Sequence, residues 1–591
     1  MPISCTPDLR WRLIETAMEK AAPDLLIRGG KTWNAYTGDV EPGDIAICGD
    51  RIARVGPWTA AREPATSVID ATGMIAVPGY IEPHTHLSPF CSPLSFAERA
   101  VCHGVSCVVF DQLMLALPLG PQVLERVTQA ISEAALPLFF WLARTASQSR
   151  FRAEEAFFGA EIVRRQLESP WYLGTAEMTR WTELLDKRTS LPFLEIFEHC
   201  RASGKLNDGH FAGARTQKLA ALATTGIRSC HEAITTEEAL DRLRLGLRVL
   251  LRHSSLRPDL PVLLDVIGRT TFHDRLVFTT DGATELRIDE RGVSDGLIAL
   301  ALERGVAPDL AYRMATLNPA TYLGLDDDLG AVAPGRIANI NLLDSLATPT
   351  PRLVICRGVV AARDRQLTVA PPSAAFDWHA IYGTEPLEVP AWDSSRFLFP
   401  SDAPNPFPAG RLVNGAITRP TPTPLVPRDN GLWPTEPDSL VLAVTDRDCH
   451  FITRGIIQGM GAGIAAIATS FTTNAGILVL GHTPEIMEEA TARLARLGGG
   501  LVAASREGKW VEFSFSMSGI HSTCDFTTGV EAARAFSDLL RENGYAHSDP
   551  VYTLLFLTAD FLPEMRATEA GWYSVKDDLV LFPAEILPDA G

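Results

Sequence analysis

The sequence predicts an α/β protein: a (β/α)8 barrel, a small β-sandwich domain built from both flanks of that barrel, and an additional C-terminal α/β domain. Three observations predict it. Between residues 78 and 329, apolar runs alternate with amphipathic stretches; counting the run that leads into His84, there are eight such units over about 250 residues, the usual span of a (β/α)8 barrel. The runs are almost continuously apolar, as parallel strands covered on both faces are. On either side, residues 24–77 and 330–370 share another texture, short β runs split by turn dipeptides such as Gly29-Gly30 and Gly49-Asp50.

Taken in order, residues 7–20 read as a short amphipathic helix with Asp8 as cap. The later barrel strands are expected at 105–112, 136–145, 171–178, 205–211, 226–232, 247–253 and 275–282. Helices lie between most of them. The clearest is 235–246, where Thr235 or Thr236 can cap and Glu237 and Glu238 suit the first turn. Residues 371–440 are rich in proline and lack a period, so they read as a linker wrapping the surface. Residues 441–591 carry strands such as 475–482 and a helix, 483–500, closed by glycines.

Bulk properties exclude some functions. With 46% apolar and 21% charged residues the chain is an ordinary globular protein. A net charge of −18 argues against a nucleic-acid or anionic-membrane surface. The ten cysteines are scattered without a CxxC pair, which fits a reducing compartment. Neither a signal peptide nor a membrane-spanning run is read, so the expectation is a cytoplasmic protein.

In such a barrel, active-site side chains sit at the C-terminal ends of strands. His84 and His86 follow the first strand, Glu177 ends the fourth, His210 the fifth, His231 the sixth and Asp281 the eighth. Alternation sends residues two apart to the same side, so both imidazoles of His84-Thr85-His86 can face one ion. Histidine and carboxylate ligands suit zinc, iron or manganese, and no thiolate is obviously placed to favour zinc. Singly, each group has a plainer reading. Glu177 could start a helix, His210 or His231 could be a hydrogen-bonded loop histidine, and Asp281 before Gly282 could be a turn residue. Their common position at strand ends carries the metal reading. His103, His199, His253 and His273 are left structural, with His253, at the end of the seventh strand, expected nearest the pocket.

The stretch "PGYIEPHTH", the acid at Glu177 in "GTAEM", "GIRSCHE" around His231 and "TTDG" around Asp281 together resemble the amidohydrolase superfamily, closest to bacterial adenine deaminases. Residues 314–340 resemble that superfamily's barrel-exit segment, with Asn339 where aspartate is usual, and the C-terminal part resembles an extension peculiar to the adenine deaminase group. The resemblance implies that His84, His86, Glu177, His210, His231 and Asp281 ligate two divalent metal ions, manganese or iron or zinc, with Glu177 where many relatives carry a carboxylated lysine. It implies hydrolytic deamination of adenine to hypoxanthine and ammonia by hydroxide generated at the two ions, with Asp281 as general base and then acid. Glu232 is a candidate for proton transfer to a ring nitrogen, or else a surface or capping carboxylate. A homodimer is also implied, with the C-terminal domain over the barrel mouth or in the subunit interface.

The substrate-facing loops depart from the adenine deaminase pattern. "HTHLSPF" stands for the usual "H-x-H-I-E-S-S", and "FDQLM" for "A-D-P-H-E", which keeps Asp111 and puts Gln112 after it. "HFAGART" replaces "A-P-G-L-S-G" and brings Arg215 into that loop, where it could meet an anionic substrate group or pair with a surface acid. Asp111, Gln112 and Arg215 are therefore the expected substrate contacts. Because substrate identity lives in loops, a cyclic amide or imide, or another C–N bond in a nitrogen heterocycle, is the alternative substrate. A non-enzymatic scaffold is the third reading, opposed by the cost of converging buried histidines and acids without a cation.

Overall fold

A computed structural model of the chain describes residues 3–59, 67–152, 155–383, 386–389 and 392–587. Eight short parallel strands organise its centre: β1 (Tyr80–Thr85), β2 (Val105–Asp111), β3 (Leu138–Ala143), β4 (Tyr172–Thr175), β5 (Leu206–Asn207), β6 (Ser229–Cys230), β7 (Arg248–Arg252) and β8 (Leu276–Thr279). Strands β1 to β5 pair in sequence, as do β6 to β8. The Arg228 N–H donates to the Asn207 carbonyl, joining β5 to the approach of β6. A parallel bridge between Thr85 and Asp281 joins the ends of β1 and β8. The result is a curled, TIM-barrel-like α/β fold with helices outside.

Strand alternation sorts the side chains. Ile81, Cys107, Val109, Phe140, Leu250 and Val277 form one buried cluster inside the curl. Their neighbours Val108, Phe110, Phe139, Trp141, Leu251 and Phe278 belong to the cluster shared with the helices. Burying a side chain of this size is worth roughly 1.5–3 kcal/mol, so strand phase, and with it the direction of every strand-end polar residue, is strongly held. Helix Thr236–Arg244 forms where its pattern predicts, with the Thr235 hydroxyl accepting the Glu238 N–H. The first helix runs Pro7–Ala17, and its cap is Thr6 rather than Asp8: Pro7 occupies the first helical position and the Thr6 hydroxyl accepts from Leu9 N–H.

Both flanks of the barrel build one β unit. Ile75–Pro78 pairs antiparallel with Ile340–Leu343 across more than 250 residues of sequence. This sheet and the smaller one holding Leu25–Arg28 and Ile45–Cys48 share a core of Ile27, Ile47, Ile340 and Ile355.

The segment expected to be a linker, 371–440, is instead built into the fold. Phe407–Leu412 and Thr418–Thr423 join the large C-terminal sheet, and Leu425–Arg428 forms a hairpin with Gly431–Pro434. Its prolines hide this in the sequence. Pro420 and Pro422 lie on Thr418–Thr423, the outermost strand, where a missing N–H costs no ladder bond. Helix Pro484–Leu497 covers this sheet, capped by Thr483 and ended by Gly498 at φ 67°.

A helix at Trp378–Tyr382 docks onto the C-terminal region through a buried histidine. The Tyr382 hydroxyl lies 2.7 Å from His521 Nε2, and His521 Nδ1 donates to the Ser522 carbonyl at 2.8 Å. Burial pushes the imidazole down to about 4. Its folded pKa is below the unfolded one, so its contribution is intact above pH 6.5 and is lost as pH falls from 6.5 towards 4. Between pH 7 and pH 5 the loss should be on the order of 2 kcal/mol. Denaturation of His521→Gln over the same range should show a correspondingly shallower pH dependence.

Candidate metal and hydrolytic site

Six strand-end side chains converge. His84 Nε2 is 3.2 Å from His86 Nε2 and 3.7 Å from Asp281 Oδ1, which is itself 3.2 Å from His86 Nε2. Across the opening, His210 Nδ1 and His231 Nε2 lie 3.2 Å apart, at 2.7 and 3.0 Å from Glu177 Oε2. The other oxygen of Glu177 is 3.8 Å from His86 Nε2, so one carboxylate spans both halves. Three groups, His84-His86-Glu177, His84-His231-Asp281 and Glu177-His210-His231, each bring ligand atoms within 4.8 Å of one another.

The surroundings prepare these groups for a cation. Asp208 accepts from His84 Nδ1 at 2.7 Å, which leaves the Nε2 lone pair facing the opening. Asp208 is itself held by the hydroxyls of Ser229 and Tyr322. Burial alone would raise the Glu177 carboxyl, but His210, then His231 and His86, outweigh it and hold it well below the usual range. Asp281 is likewise held well below its usual range: burial is overcome by hydrogen bonds from His84 and His86 and by the Arg252 charge. Two anionic carboxylates and four imidazole nitrogens in one buried cluster are a donor set that fits divalent cations.

A cavity opens over the cluster. Its polar wall includes Glu232, Arg252, Arg257 and Gln148; its apolar wall includes Leu87, Leu113 and Met114 from the barrel side. Tyr552, Phe556 and Phe561 from the C-terminal region complete it. The C-terminal region therefore packs over the barrel mouth.

Comparison with known proteins agrees with this geometry. Residues 75–368 match the amidohydrolase family, and residues 416–578 match the adenine deaminase C-terminal domain. The chain is 31% identical over 593 residues to a Halalkalibacterium halodurans protein named "Putative adenine deaminase", covering 98% of this chain and 99% of that one. The chain belongs to the amidohydrolase family. Within it, the chain is adenine deaminase-like: it is also 31% identical over 573 residues to an adenine deaminase of Methylobacterium sp. strain 4-46, covering 95% of this chain and 98% of that one. Among solved structures, a dihydropyrimidinase from Brevibacillus agri matches 59% of this chain and 96% of its own at 14% identity, with a TM-score of 0.45. As an amidohydrolase the chain is a metal-dependent hydrolase of C–N bonds. None of its described helices is long and apolar enough to cross a membrane.

Not every expected contact of this amidohydrolase reaches the cavity. Gln112 does not: its side chain accepts from the Tyr172 hydroxyl at 2.8 Å and donates to Gln166, because past the end of β2 it turns into the helix layer. Arg215 does not either. It precedes helix Thr216–Ala223 and, itself largely exposed, pairs with the buried carboxylate of Glu238, whose Oε1 is 2.5 Å away. Asp111 lies beneath the site, 3.2 Å from Arg144, and accepts from Leu113 N–H at 2.6 Å. His253 points away from the cavity and its neighbour Arg252 points in, since alternation along β7 places Leu250 and Arg252 on the inner face.

Arg252 was not expected from the sequence, and it joins three carboxylates. It is 3% exposed, donates to Glu232, lies 3.1 Å from Asp281 Oδ2 and 3.3 Å from Asp259 Oδ2. With burial outweighed by Arg252 and then by His210 and His231, Glu232 is held ionised. Removing one partner of a buried ion pair typically costs 3–5 kcal/mol. Arg252→Met should therefore lower stability by about that much, read as the midpoint of denaturant unfolding.

Proposed function

We propose that this chain hydrolytically deaminates adenine or a close aminopurine, giving hypoxanthine and ammonia, at a site on a (β/α)8 barrel closed between β8 and β1. The observation that supports it most is the convergence of His84, His86, Glu177, His210, His231 and Asp281 beneath a single cavity, in a chain whose full length aligns with adenine deaminase-like relatives. These six side chains would hold two divalent ions, manganese, iron or zinc. When bound, the ions supply the Lewis acidity that makes water a nucleophile near neutral pH.

The remaining steps belong to the chain. Asp281, anionic and fixed by Arg252 at Oδ2, accepts the proton of the attacking water and returns it to the departing amine, so that ammonia leaves. Glu232 lies on the cavity wall, 3.7 Å from both His210 Nδ1 and His231 Nε2. Held ionised, it suits accepting a substrate N–H better than giving a proton. Leu87, Leu113, Met114, Phe556 and Phe561 keep bulk water from the reacting carbon. A cytoplasmic enzyme of a small molecule, working as a homodimer, completes the reading.

One observation favours a second substrate class. Arg257 lines the cavity, partly exposed, with Nη2 3.1 Å from Asp259. A guanidinium there would suit the carbonyl of a cyclic amide. Ammonia release from manganese- or iron-loaded protein with adenine, followed by hypoxanthine formation in the ultraviolet, tests the main reading. A chelator-sensitive rate well above background supports it. No turnover by fully metallated protein would overturn it in favour of ring opening.

A further inference from the structure

Besides the ligand histidines and Arg252, two side chains of the cavity wall each carry a buried polar atom without a partner among the described residues. Gln148 is 3% exposed and its Oε1 accepts no hydrogen bond; Tyr552 is 5% exposed and its hydroxyl is likewise unpartnered. Buried polar groups are nearly always paired, because leaving one unsatisfied costs free energy. Two such atoms on the wall of one cavity, which also holds His86, Glu177, His210, His231 and Asp281, point to a ligand that pairs them.

Both are built in rather than incidental. Gln148 follows β3 and is carried by the barrel, whereas Tyr552 lies on helix Pro550–Phe556 of the C-terminal region. Asp549 accepts the backbone N–H groups of Val551 and Tyr552 at 2.9 and 3.1 Å and fixes the first turn. The Tyr552 ring packs against Phe471 and Phe556, at 6.5 and 6.0 Å between centroids. Its hydroxyl sits over Gly282, next to Asp281: a Cβ at residue 282 would lie 2.7 Å from it, so only glycine leaves room. Burial, and then the negative charges of Asp281 and Asp549, keep the phenol protonated and hence a donor.

We propose that Gln148 and Tyr552 are the substrate-reading pair of this cavity: Gln148 Oε1 accepts an N–H of a nitrogen heterocycle, and the Tyr552 hydroxyl donates to a lone pair of the same heterocycle beside Asp281. This rests on the reading of the site as a hydrolase of heterocyclic C–N bonds. It also gives the C-terminal region a direct part in specificity. Adenine meets the requirement through its ring N–H and ring nitrogens, and a cyclic amide meets it through N–H and carbonyl.

Calorimetric binding of adenine, hypoxanthine and dihydrouracil to metal-loaded wild type, Gln148→Met and Tyr552→Phe tests the pair, with KM and kcat for any compound turned over. Both substitutions keep shape, and metal stoichiometry and melting report folding. Each should weaken binding of the heterocycle that the wild type accepts by about ten- to a hundredfold and raise KM more than it lowers kcat. Binding and KM within twofold of wild type in either variant would overturn the pair, even if adenine is deaminated. Binding of none of the three compounds by the wild type would also overturn it. Loss of dihydrouracil binding in both variants, with adenine neither bound nor turned over by the wild type, would support the pair and overturn the adenine reading alone.

Discussion

Asp281→Asn should lower kcat by about 10²–10⁴-fold, the range a positioned general acid–base contributes, while leaving the fold intact. Asp281 has φ 50°, in the left-handed region, and asparagine is among the few residues that adopt it readily. The substitution therefore keeps the backbone and the side-chain volume. What it removes is charge and basicity. An amide cannot take the proton of water, and its oxygen offers His84 and His86 a weaker partner than the carboxylate now 3.7 and 3.2 Å from them. Arg252 retains Glu232 and Asp259, so no unpaired buried cation is created. Steady-state kinetics beside a thermal melt decide the matter: near-normal turnover by a folded variant would remove Asp281 from the proton-transfer role.

Long buried strands are where the sequence is most readable. The runs leading to His84, Asp111, Arg252 and Asp281 are apolar for several residues, and their phase is fixed by burial on two faces. Hence the ends of these strands, and with them the positions of His84, His86 and Asp281, could be read in advance. Phase was harder to carry past a strand's end. On β7 the parity that buries Leu250 also selects Arg252 over His253, the histidine that its place at the strand end puts nearest the pocket. Leu206–Asn207 and Ser229–Cys230 are two-residue strands with too little pattern to reveal Asp208 as the partner of His84. A signal did exist, for Asp208 stands two residues before His210 at the same strand end. Tyr552 had none: it reaches the site from some 270 residues downstream of Asp281, and nothing in local sequence encodes that docking. The proline-rich segment 371–440 failed for another reason, since proline is compatible with an edge strand but reads as coil.

Glu177→Gln should lower the metal content towards one ion or none per chain. The carboxylate bridges the two halves of the cluster, with Oε2 at 2.7 and 3.0 Å from His210 and His231 and Oε1 at 3.8 Å from His86. A carboxamide of the same shape has one acceptor oxygen, no negative charge, and an NH2 group that must face one of the two triads. A cation in that triad would meet a donor where it needs a lone pair. The Arg144 guanidinium, 3.6 Å from Oε1, would keep Asp111 as its carboxylate partner, so the loss falls on the cation site. Elemental analysis after loading measures the effect directly, and unchanged stoichiometry would count against bridging. Stability gives an independent reading. A ligand at a thousand times its dissociation constant stabilises the native state by about 4 kcal/mol, so chelation should lower the wild-type midpoint markedly. In Glu177→Gln most of that difference should already be gone, because the metal-free and metal-loaded forms would have become nearly the same molecule.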